Sequence, residues 1–339
     1  MADPIIAQNL EKVYDGKVHA VNGVDITIRE GELFGFLGPN GAGKTTTVQM
    51  LTGNLRITSG HATVAGLDVA KSPLEIKERI GLVFQEGTAD PDLTGRENLD
   101  LAAALFKVPL AETRSTVNGL LERLQIAEAA DRLVKTYSGG MRRRLELAVG
   151  IIHSPKILFL DEPTLGLDPQ GRAGFWKYVL QLRHDHNMTV FVTTHYLDEA
   201  DEMCDRISII DHGKIVATGT PSQLKDKLGG DVVTVRPTNR SGAEVESVLK
   251  GLPGVISVSA SDGTFRVKVP QGEALIPHLV DACTKAGIGL ASVSLKRPSL
   301  DEVFLEFTGR EFREDEGPTA TDRAVRVGQV QQAFGRQRR

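Results

Sequence analysis

The stretch "LFGFLGPNGAGKTTTVQML", residues 33 to 51, has little freedom in how it folds. It opens with an apolar run of strand length, which predicts a strand buried on both faces. It closes with a pattern that predicts a helix from Lys44 to Leu51. Between them Gly38, Gly41 and Gly43 let the backbone curl until successive N–H groups face one point. Lys44 adds a positive charge there, and Thr45 a hydroxyl able to ligate magnesium. Pro39, Asn40, Ala42 and Thr46 complete the loop. Strand, G-x-x-x-x-G-K-T loop and helix in that order predict a cradle for the phosphates of a nucleotide.

Such a site needs an acid, and "ILFLDEPT" supplies two. Asp161 closes a second buried strand, where its carboxylate can reach a magnesium ion, and Glu162 beyond it is placed to polarise an attacking water. "VFVTTH" brings a third strand to His195, favoured as a sensor of the terminal phosphate because ligands of open α/β sheets gather at the carboxyl ends of strands. Gln85 closes "GLVFQ"; its amide can reach the metal or the water, and its place at a domain junction suggests a hinge. Upstream, the ring of Tyr14 can stack on a base.

A second anion cradle lies in "TYSGGMRRRLELAVG", residues 136 to 150. Ser138, Gly139 and Gly140 lead straight into a helical pattern, exposing backbone N–H groups, yet no lysine accompanies them. On a helical wheel Met141, Leu145, Ala148, Val149 and Ile152 share one face. Arg142 and Arg143 are then expected to face solvent or a partner. Arg144, on the flank of the apolar face, is expected to be buried and paired near the catalytic core.

Around these motifs strands alternate with helices, which predicts an α/β fold with a mainly parallel sheet, interrupted by helical periodicity over residues 96 to 154. After "LKDKLGGD" the order becomes β-α-β-β-α-β, as in a small ferredoxin-like domain. "SLDEVFLEFTG" predicts a last short helix, and from Arg310 onward a polar, mobile tail is expected. With 339 residues and a net charge of −4, the composition argues against broad electrostatic binding to nucleic acid, while a local basic patch stays open. Cys204 and Cys283 lack metal-ligand spacing and are expected to be reduced and buried. Neither a signal peptide nor an apolar run of the ~20 residues that span a bilayer is visible, so any work at a membrane would need another chain to cross it.

Taken together, these residues resemble the ATP-binding subunit of ABC transporters. "GPNGAGKT" matches the Walker A motif, Gln85 the Q-loop, "YSGGM" the signature and "ILFLDE" Walker B. "GLD", ending at Asp168, matches the D-loop, His195 the switch histidine and Tyr14 the adenine-stacking aromatic. The variant signature, "DLTGRENL" and "RPSLDEVFLEFTG" are similar to the ATPases of daunorubicin/doxorubicin-resistance exporters, over residues 5 to 309.

The resemblance implies an ATP-binding core over residues 1–86 and 156–228, a helical subdomain at 87–155, a small α+β domain at 229–309 and a tail at 310–339. The core would combine the parallel sheet with an antiparallel β subdomain. ATP and magnesium would be the ligands, with Thr45, Gln85 and Asp161 around the metal. Ser138, Gly139 and Gly140 would contact ATP held by a second, identical subunit. The pair would sit at the cytoplasmic face of the membrane on separate permease subunits, docked through the helical insertion, especially residues 86 to 100. Tyr137 and Met141 depart from the usual Leu-Ser-Gly-Gly-Gln signature but leave its serine and glycines in place. The alternative is a soluble ABC ATPase of the ribosome-associated or DNA-repair type.

Overall fold

The computed structural model describes residues 3–238, 242–261 and 263–309. The expected tail at 310–339 lies outside them. The chain begins as an antiparallel hairpin, β1 (Ile5–Tyr14) with β2 (Val18–Ile28), and then enters β3 (Leu33–Leu37), buried at every residue. The glycine loop follows, and α1 (Lys44–Leu51) spans the expected residues. β4 (Ser59–Val64) and β5 (Leu67–Asp68) join the hairpin, completing a sheet of order β2-β1-β4-β5. α2 (Pro73–Arg79) leads to β6 (Ile80–Val83).

The helical insertion comes next: α3 (Gly95–Leu105), α4 (Leu110–Arg123) and α5 (Gly139–Ile151). α3 starts where it does because Thr94 and Glu97 form a capping box, each side chain taking the other's backbone N–H. The chain then returns to the central sheet through β7 (Ile157–Asp161), α6 (Pro169–His186) and β8 (Thr189–Thr194). α7 (Leu197–Met203), β9 (Arg206–Asp211), β10 (Lys214–Gly219) and α8 (Pro221–Asp226) complete this part. The central sheet has the order β10-β9-β3-β8-β7-β6 and is parallel except for β10 at one edge.

Period-2 alternation gives that sheet two different faces. Phe34, Phe36, Phe159 and Phe191 point toward the antiparallel sheet and α1, in one core with Ile5, Ile28 and Met50. Leu33, Leu158, Leu160, Val190 and Val192 point toward the helices, in a second core with Leu145, Leu147 and Phe175. Phe191 is the hub of the aromatic side, with ring centroids 5.5–5.8 Å from Phe159, Phe36 and Phe34.

The remaining elements are β11 (Asp231–Pro237), α9 (Gly242–Lys250), β12 (Ser257–Ser261), β13 (Thr264–Val269), α10 (Gly272–Lys285), β14 (Leu290–Lys296) and α11 (Leu300–Thr308). Their antiparallel sheet, ordered β12-β13-β11-β14, is the expected ferredoxin-like arrangement around a third core that includes Val233, Phe265 and Leu279. The helix at the end of the expected 229–309 unit packs elsewhere. Leu300, Val303 and Phe304 of α11 are buried in the core shared with α7, α8 and β10.

Truncating Phe191 leaves a void at the centre of a layer that cannot collapse around it. Phe191→Ala is therefore expected to lower the unfolding free energy by ~3–5 kcal/mol. Trp176, the chain's one tryptophan and buried in α6, gives the fluorescence signal for a denaturant titration. A loss under about 1 kcal/mol would contradict the placement of this side chain at the hub.

Candidate functional site

β3, β7 and β8 are neighbours and parallel, so their carboxyl ends emerge side by side. The glycine loop leaves β3 there, Asp161 and Glu162 end β7, and His195 follows β8. Backbone geometry explains the glycines. Gly41 and Gly43 have φ of 81° and 109°, in the left-handed region. At Gly38 the cause is close approach instead, since a Cβ there would lie 2.3 Å from the carbonyl oxygen of Ile210. Pro39 is half-buried, Asn40 exposed, Ala42 buried and Thr46 half-buried along the loop and first turn.

Six of the expected residues converge. Lys44, only 4% exposed, donates from Nζ to the carbonyl oxygen of Gly38 at 2.7 Å and of Pro39 at 3.3 Å, and lies 3.1 Å from Glu162 Oε1. Asp161 Oδ1 accepts from Thr193 Oγ1 at 2.5 Å and from Thr45 Oγ1 at 3.3 Å. Gln85 Nε2 donates to Glu162 Oε2 at 3.4 Å. His195 Nδ1, also 3.4 Å from that oxygen, sits at the long limit of hydrogen bonding.

The two adjacent carboxylates sit in different electrostatic surroundings. Burial raises the pKa of Asp161, against the hydrogen bond from Thr193. Burial also acts to raise Glu162, but the His195 imidazole and the Lys44 ammonium outweigh it and bring the carboxyl down to about 2. Glu162 is thus an anion at neutral pH, able to accept a proton from water beside the Lys44 cation. Its backbone is in the left-handed region, with φ 48°, unusual for a residue other than glycine. Thr193 fixes this turn from one side, since its carbonyl and its hydroxyl oxygens each accept from the Glu162 N–H at 3.0 Å.

The other expected residues lie apart from this group. Ser138 caps α5 and is exposed, as is Gly139, while Gly140 is half-buried. Asp168 is exposed and caps α6, accepting from the Gly171 N–H at 2.6 Å. Tyr14 ends β1 at 39% exposure, with Lys12 Nζ 5.1 Å from its ring centre. His153 stacks on Phe106 and bonds the carbonyl of Ile80, a packed histidine.

The arginine run corrects the helical wheel. Arg143, expected in solvent, is 7% exposed and bonded to the carbonyl oxygens of Phe84, Glu162 and Pro163 and to Glu146. Arg144, expected near the catalytic core, is half-buried and donates to carbonyls of Gly140, Leu124 and Gln125. Burial on both sides of α5 is the physical reason. Its neighbours include β6 on one side and α3 on another, so a wheel with a single apolar face misassigns it. The acid at i+3, Glu146, was the available signal for Arg143. Thr193 was missed as well; its place two residues before His195, on the same face of β8, could have found it.

Because Glu162 has a folded-state pKa below its ordinary 4.5, it stabilises the fold above that value, and the contribution is lost as pH falls toward about 2. Glu162→Gln is expected to flatten the fall of unfolding free energy over that window. Equal slopes in acid titrations of parent and variant would count against the depressed carboxyl.

The geometry agrees with what the chain is similar to. Residues 21–165 match the family model described as "ABC transporter", and residues 219–308 match "ATP-binding protein DrrA1-3-like, C-terminal domain". The chain is 42% identical over 318 residues to the daunorubicin resistance ATP-binding protein DrrA2 of Streptomyces coeruleorubidus, covering 93% of this chain and 98% of that protein. It is 35% identical to the linearmycin resistance ATP-binding protein LnrL of Bacillus subtilis, covering 91% and 99%. Among solved structures, the ATP-binding cassette MJ0796, a dimer in a post-hydrolysis state with ADP and Pi, superposes with a TM-score of 0.59 at 25% identity, covering 64% of this chain and 98% of that one. A P-loop and two strand-end acids on a parallel sheet, a signature helix and a matching C-terminal domain thus coincide in one sequence: the chain belongs to the ATP-binding subunits of ABC transporters, in the daunorubicin/doxorubicin-resistance branch.

Proposed function

We propose that this ATPase subunit binds ATP with magnesium in the Lys44 loop and pairs with a second copy of itself around two nucleotides. Hydrolysis then drives export of a hydrophobic drug or lipid-like compound through separate membrane permease subunits. The separation of the two cradles carries the reading. Ser138, Gly139 and Gly140 stand at the accessible N-terminus of a thirteen-residue helix, outside the convergent group around Lys44. That end carries partial positive charge and free N–H groups, which fit a phosphate presented by another subunit. Tyr14, exposed at its strand end, is suited to stack on adenine, and exposed Asp168 to meet the facing subunit.

The donor set fits magnesium. Among the described residues no group of three or more His, Cys, Asp or Glu gathers to hold an ion. The Thr45 hydroxyl, the Asp161 carboxylate and the Gln85 amide form the sparse set that magnesium uses when phosphates and water complete its shell. When bound, it would neutralise phosphate charge. Lys44 now lies against Glu162; a phosphate competes for that ammonium and leaves the carboxylate free to accept the proton of the attacking water. His195 would donate toward the terminal phosphate from beside Glu162.

Among the described residues no helix is long and apolar enough to cross a membrane, so the pathway would come from permease chains. The helical insertion, especially residues 86 to 100, would dock on them, at the cytoplasmic face. The resistance named for the relatives, to daunorubicin and linearmycin, supports a hydrophobic or amphipathic cargo.

Glu162→Gln is expected to reduce ATP turnover by ~10³-fold or more and to accumulate an ATP-bound dimer in size-exclusion chromatography. Undiminished turnover would remove Glu162 from the catalytic role. Mixing a Lys44→Ala chain with a Ser138→Arg chain should leave one composite site intact, so the mixture binds ATP at its interface while neither chain does so alone. Mixed dimers without interfacial ATP would refute the shared site.

A further inference from the structure

Among the described residues only Lys44 and Arg143 bury a lysine or arginine below 9% exposure. Lys44 is explained by the phosphate cradle, whereas Arg143, one turn into α5 beyond Ser138–Gly140, is itself assigned no nucleotide contact. Its guanidinium reaches carbonyls on two other segments and a carboxylate on its own helix. Nε donates to the carbonyl oxygen of Pro163 at 2.5 Å and Nη2 to that of Glu162 at 2.9 Å. Nη1 donates to the carbonyl of Phe84, the residue before Gln85, at 2.7 Å, and to Glu146 Oε2 at 2.7 Å. Glu146 is itself 3% exposed and also accepts from Arg142 Nε at 3.2 Å.

These contacts bear on a backbone that would otherwise relax. Glu162 is held in the left-handed region, and such a turn persists only where its surroundings over-determine it. Thr193 fixes its N–H; Arg143 fixes its carbonyl and the next one. The direction of the Glu162 side chain follows from that backbone. Only a planar fork with five donors can serve three carbonyls from two segments together with a carboxylate; a lysine ammonium offers three donors at one point.

We propose that Arg143 is a positioning residue for hydrolysis. It locks the turn that aims the Glu162 carboxylate and the strand end that carries Gln85, and it joins both to the helix headed by Ser138–Gly140. It acts through Glu162 and touches neither ATP nor water, so the inference rests on Glu162 being the base.

Removing Arg143 alone leaves the buried Glu146 with only the exposed Arg142 as its cation, so the test removes both charges. In the full chain with ATP and magnesium, Arg143→Gln with Glu146→Gln is expected to keep the parent's unfolding transition and an ATP Kd within ~3-fold, while kcat falls ~10²-fold, the scale of a misaimed catalytic group. A folded double variant with kcat within ~3-fold of the parent overturns the proposal. Arg143→Lys keeps the charge facing Glu146 and guards against a double variant that does not fold. It should lower kcat at least ~10-fold with KM for ATP unchanged, and parent-like kcat again overturns the proposal. Introduced into Glu162→Gln, Arg143→Lys should alter the residual turnover less than ~3-fold, because no base is left to aim; a full further loss would place the action of Arg143 elsewhere. Failure of the base itself is read separately, from turnover of the Glu162→Gln single variant.

Discussion

Two carboxylates leave a dry sheet side by side at the end of β7, and the surrounding structure is organised around making that tolerable. An unpaired buried carboxylate is costly, and two adjacent ones repel each other as well. Asp161 is met by two hydroxyls, from Thr193 and Thr45. Glu162 is met by Lys44, Gln85 and His195. The partners come from the ends of β3, β6 and β8, so the parallel sheet is what brings them within reach. The same convergence sets the Lys44 ammonium against the Glu162 carboxylate at 3.1 Å, at the point where three strand ends meet.

The helical insertion enters this site by way of α5. One end of that helix is exposed at Ser138 and Gly139, and its first turns carry the buried guanidinium that holds the carbonyls of Glu162, Pro163 and Phe84. A single element thus touches the outside surface and the backbone of the β7 turn. At the far end of the chain, α11 packs on α7, which begins two residues after His195. The C-terminal unit is therefore anchored to the ATP-binding core by its last described helix as well as by the connection before β11.

How legible was this in the sequence? The glycine loop was fully so, because its residue types are demanded by backbone geometry: positive φ at Gly41 and Gly43, close approach at Gly38. The strand-end positions of Asp161, Glu162 and His195 were legible too, since apolar runs of strand length end abruptly at polar residues. Helix α1 and the ferredoxin-like order followed from periodicity alone. Arg143 was legible only through the acid at i+3, Glu146, which the wheel ignores, and Arg144 was misplaced. Both lie on a helix covered on more than one side, where the phase of a wheel says little about which neighbour each side chain meets. Leu300, Val303 and Phe304 declared an amphipathic helix but not the surface it would cover.

The sequence by itself determined the elements, their order and the chemistry gathered at the ends of three strands. Local steric rules and period-2 or period-3.6 patterns need no knowledge of distant residues. Only the tertiary structure decided that the second arginine of the run, and neither of its neighbours, is the buried one, that Thr193 grips both Asp161 and the Glu162 N–H, and that α11 belongs against α7 and α8. Those outcomes depend on which surfaces meet, and that is fixed by packing between segments far apart in the chain, where a few ångströms separate a solvated cation from one that holds a backbone turn in place.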